Sequence, residues 1–416
     1  MTSLLQHPAP LFLFLMVAAH LLEMLALLLD GRQLRHPLPP QLAAWVEEET
    51  WQKSQTYTRA RHRLAFWEAN WNLLVLLLFW FSGGFAWLDR SVSGWQLAPW
   101  LTGELYIAAL VLGSYVCNLP FALYGTFHLE ARFGFNRTTL ATWLGDQGKM
   151  FALALLLGGP LLAVLLLVLQ QAGTHAWMYG WATVTAFSLL LQGILPRWIL
   201  PLFNRFEPLP EGELRQAILD YAARIDFPVG QIFTMDGSRR SSKANAFVTG
   251  FGQQRRIALF DTLIQQHTQG ELLAVLAHEV GHARHHHLPK MLLLGTLHTG
   301  LLFGVLALLL PWPGLYQGFL LESMPLHAGL VFFGLVIGPI DLFAGILFKA
   351  LSRRFEYQAD QFAVRSAPEP GALISALRTL AKENLTNLMP HPLSVLLHYS
   401  HPPVGQRITA MEQALR

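Results

Sequence analysis

The sequence has one cysteine and little charge. Its single thiol, Cys117, lies in an apolar stretch and cannot close an internal disulfide, so it is read as a packing residue. Charged residues make up 13% of the 416 positions, about half the share usual in soluble proteins. Hydrophobic residues make up 53%, and the mean hydropathy is +0.37. Such a chain cannot place most of itself in water. The formal net charge is only +3, with no block of like charges. That excludes the clustered basic stripe of a nucleic-acid binder. Residues 1–10 contain no Lys or Arg, and no small-residue cleavage site precedes Asp30. The apolar run 11–29 therefore reads as a retained first helix rather than a signal peptide.

What is present is a series of long apolar runs. A helix needs about 20 mostly apolar residues to cross a bilayer. Seven runs qualify, at 10–29, 71–89, 103–124, 149–170, 176–196, 291–311 and 326–350. Basic residues alternate between their connections. Arg32, Arg35, Lys53, Arg59, Arg61 and Arg63 follow the first run, Arg132 and Arg137 the third, and Arg197, Arg205 and Arg215 the fifth. Lys349, Arg353 and Arg354 close the seventh. The connection after the second run holds only Arg90, and those after the fourth and sixth hold no Lys or Arg. Positive charge stays on the cytoplasmic side, so the N-terminus is expected outside and the C-terminus in the cytoplasm.

Four regions result: a membrane region at 1–196, a water-facing segment at 197–290, two further spans at 291–350, and a C-terminal segment at 351–416. Within 197–290, helices are expected near 211–225 and 270–287, with β-like runs at 231–235, 245–249 and 256–260. The expected fold is mainly α and polytopic, with a small β-sheet in the water-facing part. Several spans carry polar groups: His20, Glu23, Glu68, Asn70, Asn72, Asn118, His298 and Asp341. These either bond helix to helix or line a hydrated chamber.

Residues 278–282 read HEVGH. Histidines at i and i+4 lie about 40° apart around a helix and face one side, as two zinc ligands must. Glu279 is held beside the metal and can take a proton from an activated water, later passing it to a leaving amine. Chance gives at most about 0.04 such patterns in a chain of this composition. The run ELLAVLA at 271–277 is a strong helix former leading into the motif.

A catalytic zinc needs a third protein ligand and an open position. Glu356 is the best placed, on the same side as the motif, and Asp360, one turn on, suits the orientation of an imidazole. A solvated helix face with Arg353 and Arg354 is the other reading. His285, His286 and His287 are expected near the helix end, solvated or capping the dipole, with a longer metal cluster as the other reading.

At this point the sequence resembles the integral-membrane CAAX prenyl endopeptidases of the gluzincin type. The resemblance runs through EARFGFNRTT at 130–139, NAFVTGFG at 245–252, RIALFDTL at 256–263, the zinc motif, Glu356 with Asp360, and SHPP at 400–403 with Arg407. It implies seven helices around a water-filled chamber capped by a cytoplasmic domain with one Zn2+, and Glu356 as third ligand. The segment Asn245-Ala246-Phe247 would open an edge strand that pairs with the substrate backbone. His401 and Arg407 would bind substrate and stabilise the oxyanion. Phe247 stands where the family often has Tyr, which removes a hydroxyl. The chain ends QALR, without an ER-retrieval signal. The expected setting is thus a bacterial inner membrane, with the ER membrane as alternative.

The primary reading is a monomeric membrane zinc endopeptidase acting on peptides or proteins, including C-terminally lipidated ones. A membrane quality-control protease is the second reading. A transporter with structural zinc is the third, although a structural site is closed by four ligands and has no use for Glu279.

Overall fold

A computed structural model describes residues 8–249 and 256–416. The first seven residues, and Gly250, Phe251 and Gly252 of the family-like stretch, lie outside the described residues. Seven helices are long and apolar enough to cross a membrane: Ala9–Gln33, Glu48–Phe81, Pro99–Glu130, Leu140–Gln171, Gly173–Phe203, His287–Leu309 and Leu326–Ser366. Each overlaps an apolar run of the sequence, and most extend beyond it because a helix continues past the hydrocarbon wherever its backbone bonds close internally.

The second run is displaced. The sequence placed it at 71–89, but the helix ends at Phe81 and a new one, Gly84–Ser93, begins. Gly83 adopts φ +75, a conformation most side chains resist, and breaks the helix there. The apolar residues beyond the break do not continue the crossing. Phe85 packs instead with Phe12, Trp80, Phe319 and Phe332. These rings are buried, with Phe319 and Phe332 stacked at 4.3 Å and Trp80 and Phe319 tilted at 4.6 Å, and plug the bundle at the end holding the start of the first helix.

The described residues expose 22131 Å². A compact monomer of 46.7 kDa would expose about 16,000 Å². Within the spans only 0–22% of the most apolar window is buried. The helices thus present surface inward as well as outward, as walls around a hollow interior do. Polar groups bridge between them, His298 to Asp341 at 2.7 Å and His20 to Asn70 at 3.3 Å, and His398 of the C-terminal segment reaches Glu23 of the first span at 3.0 Å.

Between the fifth and sixth spans lies a four-stranded sheet, β1 (Phe206–Pro208), β2 (Gln231–Met235), β3 (Ala246–Thr249) and β4 (Arg256–Phe260), ordered β1-β2-β4-β3. β2 and β4 are parallel, and both outer pairings are antiparallel. The sequence reading missed only β1, which is short and contains a proline. One face of the sheet (Ile232, Ile257, Leu259) packs on a core shared with Ile218, Leu272 and Leu276, and with Leu377 and Met411 of the C-terminal segment. That segment is also tied to the first span. Asp30, buried there, accepts from the His391 amide at 2.5 Å and from Asn387 at 3.1 Å, and faces His62 at 3.3 Å. The seventh helix runs unbroken through residue 350 and into the water-facing part.

Candidate metal centre

The helix Gln269–Arg284 carries the HEVGH motif. Thr268 caps it by accepting from the Glu271 amide, and Glu271 returns a bond to the Thr268 amide, so the first turn is fixed. The helix packs closely against Leu326–Ser366 where Gly281 meets Ala359. A Cβ on Gly281 would come within 2.9 Å of the Ala359 Cα. This close approach sets the long helix's residues over the histidines.

His278 and His282 turn their Nε2 atoms toward one another, 3.1 Å apart. Glu356 reaches the same point, with Oε2 3.5 Å from His278 Nε2 and Oε1 3.3 Å from His282 Nε2. The three residues form a group whose ligand atoms all lie within 4.8 Å of one another. Glu356 is 3% exposed, and its Oε2 is buried without a hydrogen-bond partner. Two imidazole nitrogens and a buried carboxylate converging with so few donors among them make an arrangement a divalent cation satisfies, and the N, N, O donor set suits zinc.

The surrounding residues hold this group. Asp360 Oδ1 lies 2.9 Å from His278 Nδ1, so the ring's other nitrogen faces the cluster. Arg407 grips the same carboxylate through Nη2 at 2.6 Å and Nε at 2.9 Å, and its Nη1 lies 3.5 Å from Glu356. His401 Nε2 is 3.3 Å from Glu356 Oε1, on the open side. Burial pushes the Glu279 carboxyl above the ordinary carboxylate range, partly offset by the neighbouring imidazoles. For His282, burial works downward. The hydrogen bond to Glu356 and the charges of Glu356 and Glu279 outweigh it and hold the imidazole above its ordinary value.

The structure thus gathers His278, Glu279, His282, Glu356, Asp360, His401 and Arg407 in one place. Asn245 directly precedes β3, one of the sheet's two edge strands, and its carbonyl accepts from the Phe260 amide at 3.1 Å. Ala246 pairs with Leu259 and Phe247 with Ala258. The Phe247 side chain stays outside the cluster and lines a cavity with Phe233, Arg256 and Pro201 on the other face of the sheet. Glu130, in the family-like stretch, accepts from Tyr57 at 2.6 Å and pairs with Lys243 at 3.0 Å, fixing the residues that lead into β3.

The reading of His287 as a solvated or capping histidine is overturned. His287 is 3% exposed, and its Nδ1 shares a hydrogen bond of 2.9 Å with His282 Nδ1. Its Nε2 bonds Gln358 at 2.9 Å, and its ring stacks on Phe355 at 4.1 Å. The cause is a turn. His286 adopts φ +53, so the chain folds back between two helices and brings His287 under the motif. Position alone gave no sign of this, because the reversal depends on one residue's backbone angle.

Two family descriptions cover nearly all of the chain: "CAAX prenyl protease N-terminal, five membrane helices" over residues 31–205, and "Peptidase family M48" over residues 208–415. The chain belongs to peptidase family M48. It is 33% identical to a CAAX prenyl protease 1 homolog of Oryza sativa subsp. japonica, the match covering 96% of each chain. To CAAX prenyl protease 1 of Saccharomyces cerevisiae it is 32% identical, over 90% of this chain and 88% of that one. A solved structure, described as the crystal structure of S. mikatae Ste24p, superposes with a TM-score of 0.92 at 30% identity, covering 97% of this chain and 99% of that one. This M48 protein is therefore a multi-pass membrane metallopeptidase that acts on protein substrates, and the transporter reading is set aside.

Proposed function

We propose that the chain is a zinc endopeptidase that cleaves polypeptides reaching it through the membrane interior. His278, His282 and Glu356 hold one zinc ion. A zinc ion there supplies Lewis acidity, polarising a carbonyl and acidifying water. The observation that carries the reading is the buried Glu356 carboxylate, whose Oε2 has no hydrogen-bond partner, set between the Nε2 atoms of His278 and His282 at 3.5 and 3.3 Å.

Glu279 acts as general base and then acid: its carboxylate takes the proton of the attacking water and returns it to the leaving amine. A carboxyl that burial raises above its ordinary range suits both steps. Asp360 holds His278 in the tautomer that leaves Nε2 free. Arg407 keeps Asp360 ionised, and with His401 it stabilises the negative charge that develops on the carbonyl oxygen. The substrate adds as a further strand to the outer edge of β3, at Asn245, Ala246 and Phe247.

The relatives named above are CAAX prenyl proteases, which supports a substrate with a C-terminal, lipidated cysteine motif. The enzyme works as a monomer, with its metal site on the cytoplasmic side, where the basic connections lie. Those relatives are eukaryotic and favour the ER membrane over the bacterial inner membrane.

The test is Glu279→Gln in the purified full-length protein, with zinc content and cleavage of a fluorogenic CAAX peptide measured with and without a farnesyl group. The expected result is one zinc per chain in both proteins and a loss of cleavage of about 10²–10⁴-fold in the variant. Undiminished cleavage would overturn the role of Glu279. Equal cleavage with and without farnesyl would remove the lipid from the substrate definition.

A further inference from the structure

A second site lies on the membrane side of the metal centre. Lys290, Leu293, Leu294 and Leu297 follow one another at i, i+3, i+4 and i+7, and so share one face at the start of the sixth span. Leu351, Arg354, Phe355 and Gln358 repeat that spacing on the long helix. The two faces meet and enclose a groove of about 430 Å3.

Its chemistry is divided. The leucines form an apolar wall, with Leu293 62% and Leu297 58% exposed. At one end stand Lys290 and Arg354, both exposed, neither in a salt bridge among the described residues, with no acidic side chain lining the groove. Lys290 Nζ sits 5.7 Å from the Phe355 ring. The cations lie where the apolar runs of both helices give way to polar sequence, which is the depth of lipid headgroups.

We propose that this groove binds an anionic phospholipid of the surrounding bilayer, its phosphate on Lys290 and Arg354 and one acyl chain along the leucines. Charge decides the occupant, because the isoprenoid tail of a substrate would cover the leucines and leave both cations unanswered. The groove also bears on the metal centre. Phe355 stacks on His287, Gln358 bonds His287, and His287 bonds His282. A lipid packed on Phe355 and Gln358 steadies that chain of contacts and slows metal loss, a coupling that rests on the metal-site reading above.

The test uses the full-length protein and the double variant Lys290→Gln/Arg354→Gln. Phosphatidylglycerol and phosphatidylcholine are titrated by native mass spectrometry, and zinc transfer to a chelator is timed in nanodiscs of each lipid. The wild type is expected to prefer phosphatidylglycerol by about tenfold or more. The variant should lose that preference while cleaving peptide normally in phosphatidylcholine. Zinc loss should slow in phosphatidylglycerol for the wild type alone. An equal preference in the variant, no preference in the wild type, or displacement of phosphatidylglycerol by an equimolar farnesylated peptide would overturn the site. Preferential lipid binding with an unchanged rate of zinc loss would overturn the coupling. Neither readout depends on cleavage, so failure here is distinguishable from failure of the peptidase mechanism.

Discussion

Asp360 holds Arg407 with both carboxylate oxygens, at 2.6 and 2.9 Å, and the oxygen at 2.6 Å also holds His278. Arg407 is 7% exposed, so its charge has no water to fall back on. Asp360→Ala leaves that charge only the longer 3.5 Å contact to Glu356, and breaking such a buried pair costs up to about 3–5 kcal/mol. Asp360→Asn keeps the shape but loses the charge, and zinc affinity should fall by about 10–100-fold. Thermal unfolding and chelator competition separate the two effects.

Gly281→Ala should lower stability by about 1–3 kcal/mol, because the new methyl group meets the Ala359 main chain and cannot be accommodated by a side-chain rotation. Gly281→Val should be worse and should also impair metal retention, since the histidine helix and the Glu356 helix are forced apart. A Tm equal to that of the wild type in Gly281→Val would show that the two helices do not pack this closely.

Metal uptake should weaken as pH falls. Zinc requires neutral His282, whereas Glu356 and Glu279 hold its imidazole above the ordinary value, so the proton competes from a pH above about 6.5 downward. Below the raised pKa, apparent affinity should drop about tenfold per pH unit, and above it that dependence should vanish. Chelator competition across pH 5–9 measures this. His282 titrating at or below its ordinary value in the metal-free protein would contradict it.

Removing His287 tests the support of His282. His287→Ala frees His282 Nδ1, and zinc should leave about 10–100-fold faster, with partial recovery in His287→Gln, which keeps a polar group at that site. Stopped-flow transfer to a chromophoric chelator reads the rate directly.

Much of this molecule was legible in the sequence because two of its signals are local. Apolar runs report crossings, and the i, i+4 histidines report a helix face, since each needs only neighbouring residues. Glu356 and Asp360 were legible because they share a helix at one-turn spacing. The break at Gly83 was missed, because an apolar stretch buried in an aromatic plug looks like one buried in lipid. His287 was missed because its position depends on the backbone of His286. Arg407 and His401 depend on a return of the chain from more than 100 residues away, and only the resemblance to a family pointed to them.

The tie between Asp30 and the segment at 387–391 also has a consequence in time. The histidines of the HEVGH motif leave the ribosome long before the residues that complete their surroundings. His278 and Arg407 are 129 residues apart, about 6–26 s of synthesis. During that interval the HEVGH helix exists without Arg407 over Asp360, and the C-terminal segment has not yet docked on Asp30. Until its late residues reach back to the first helix, the growing chain therefore lacks the Arg407 grip on Asp360 that steadies His278 in the finished fold.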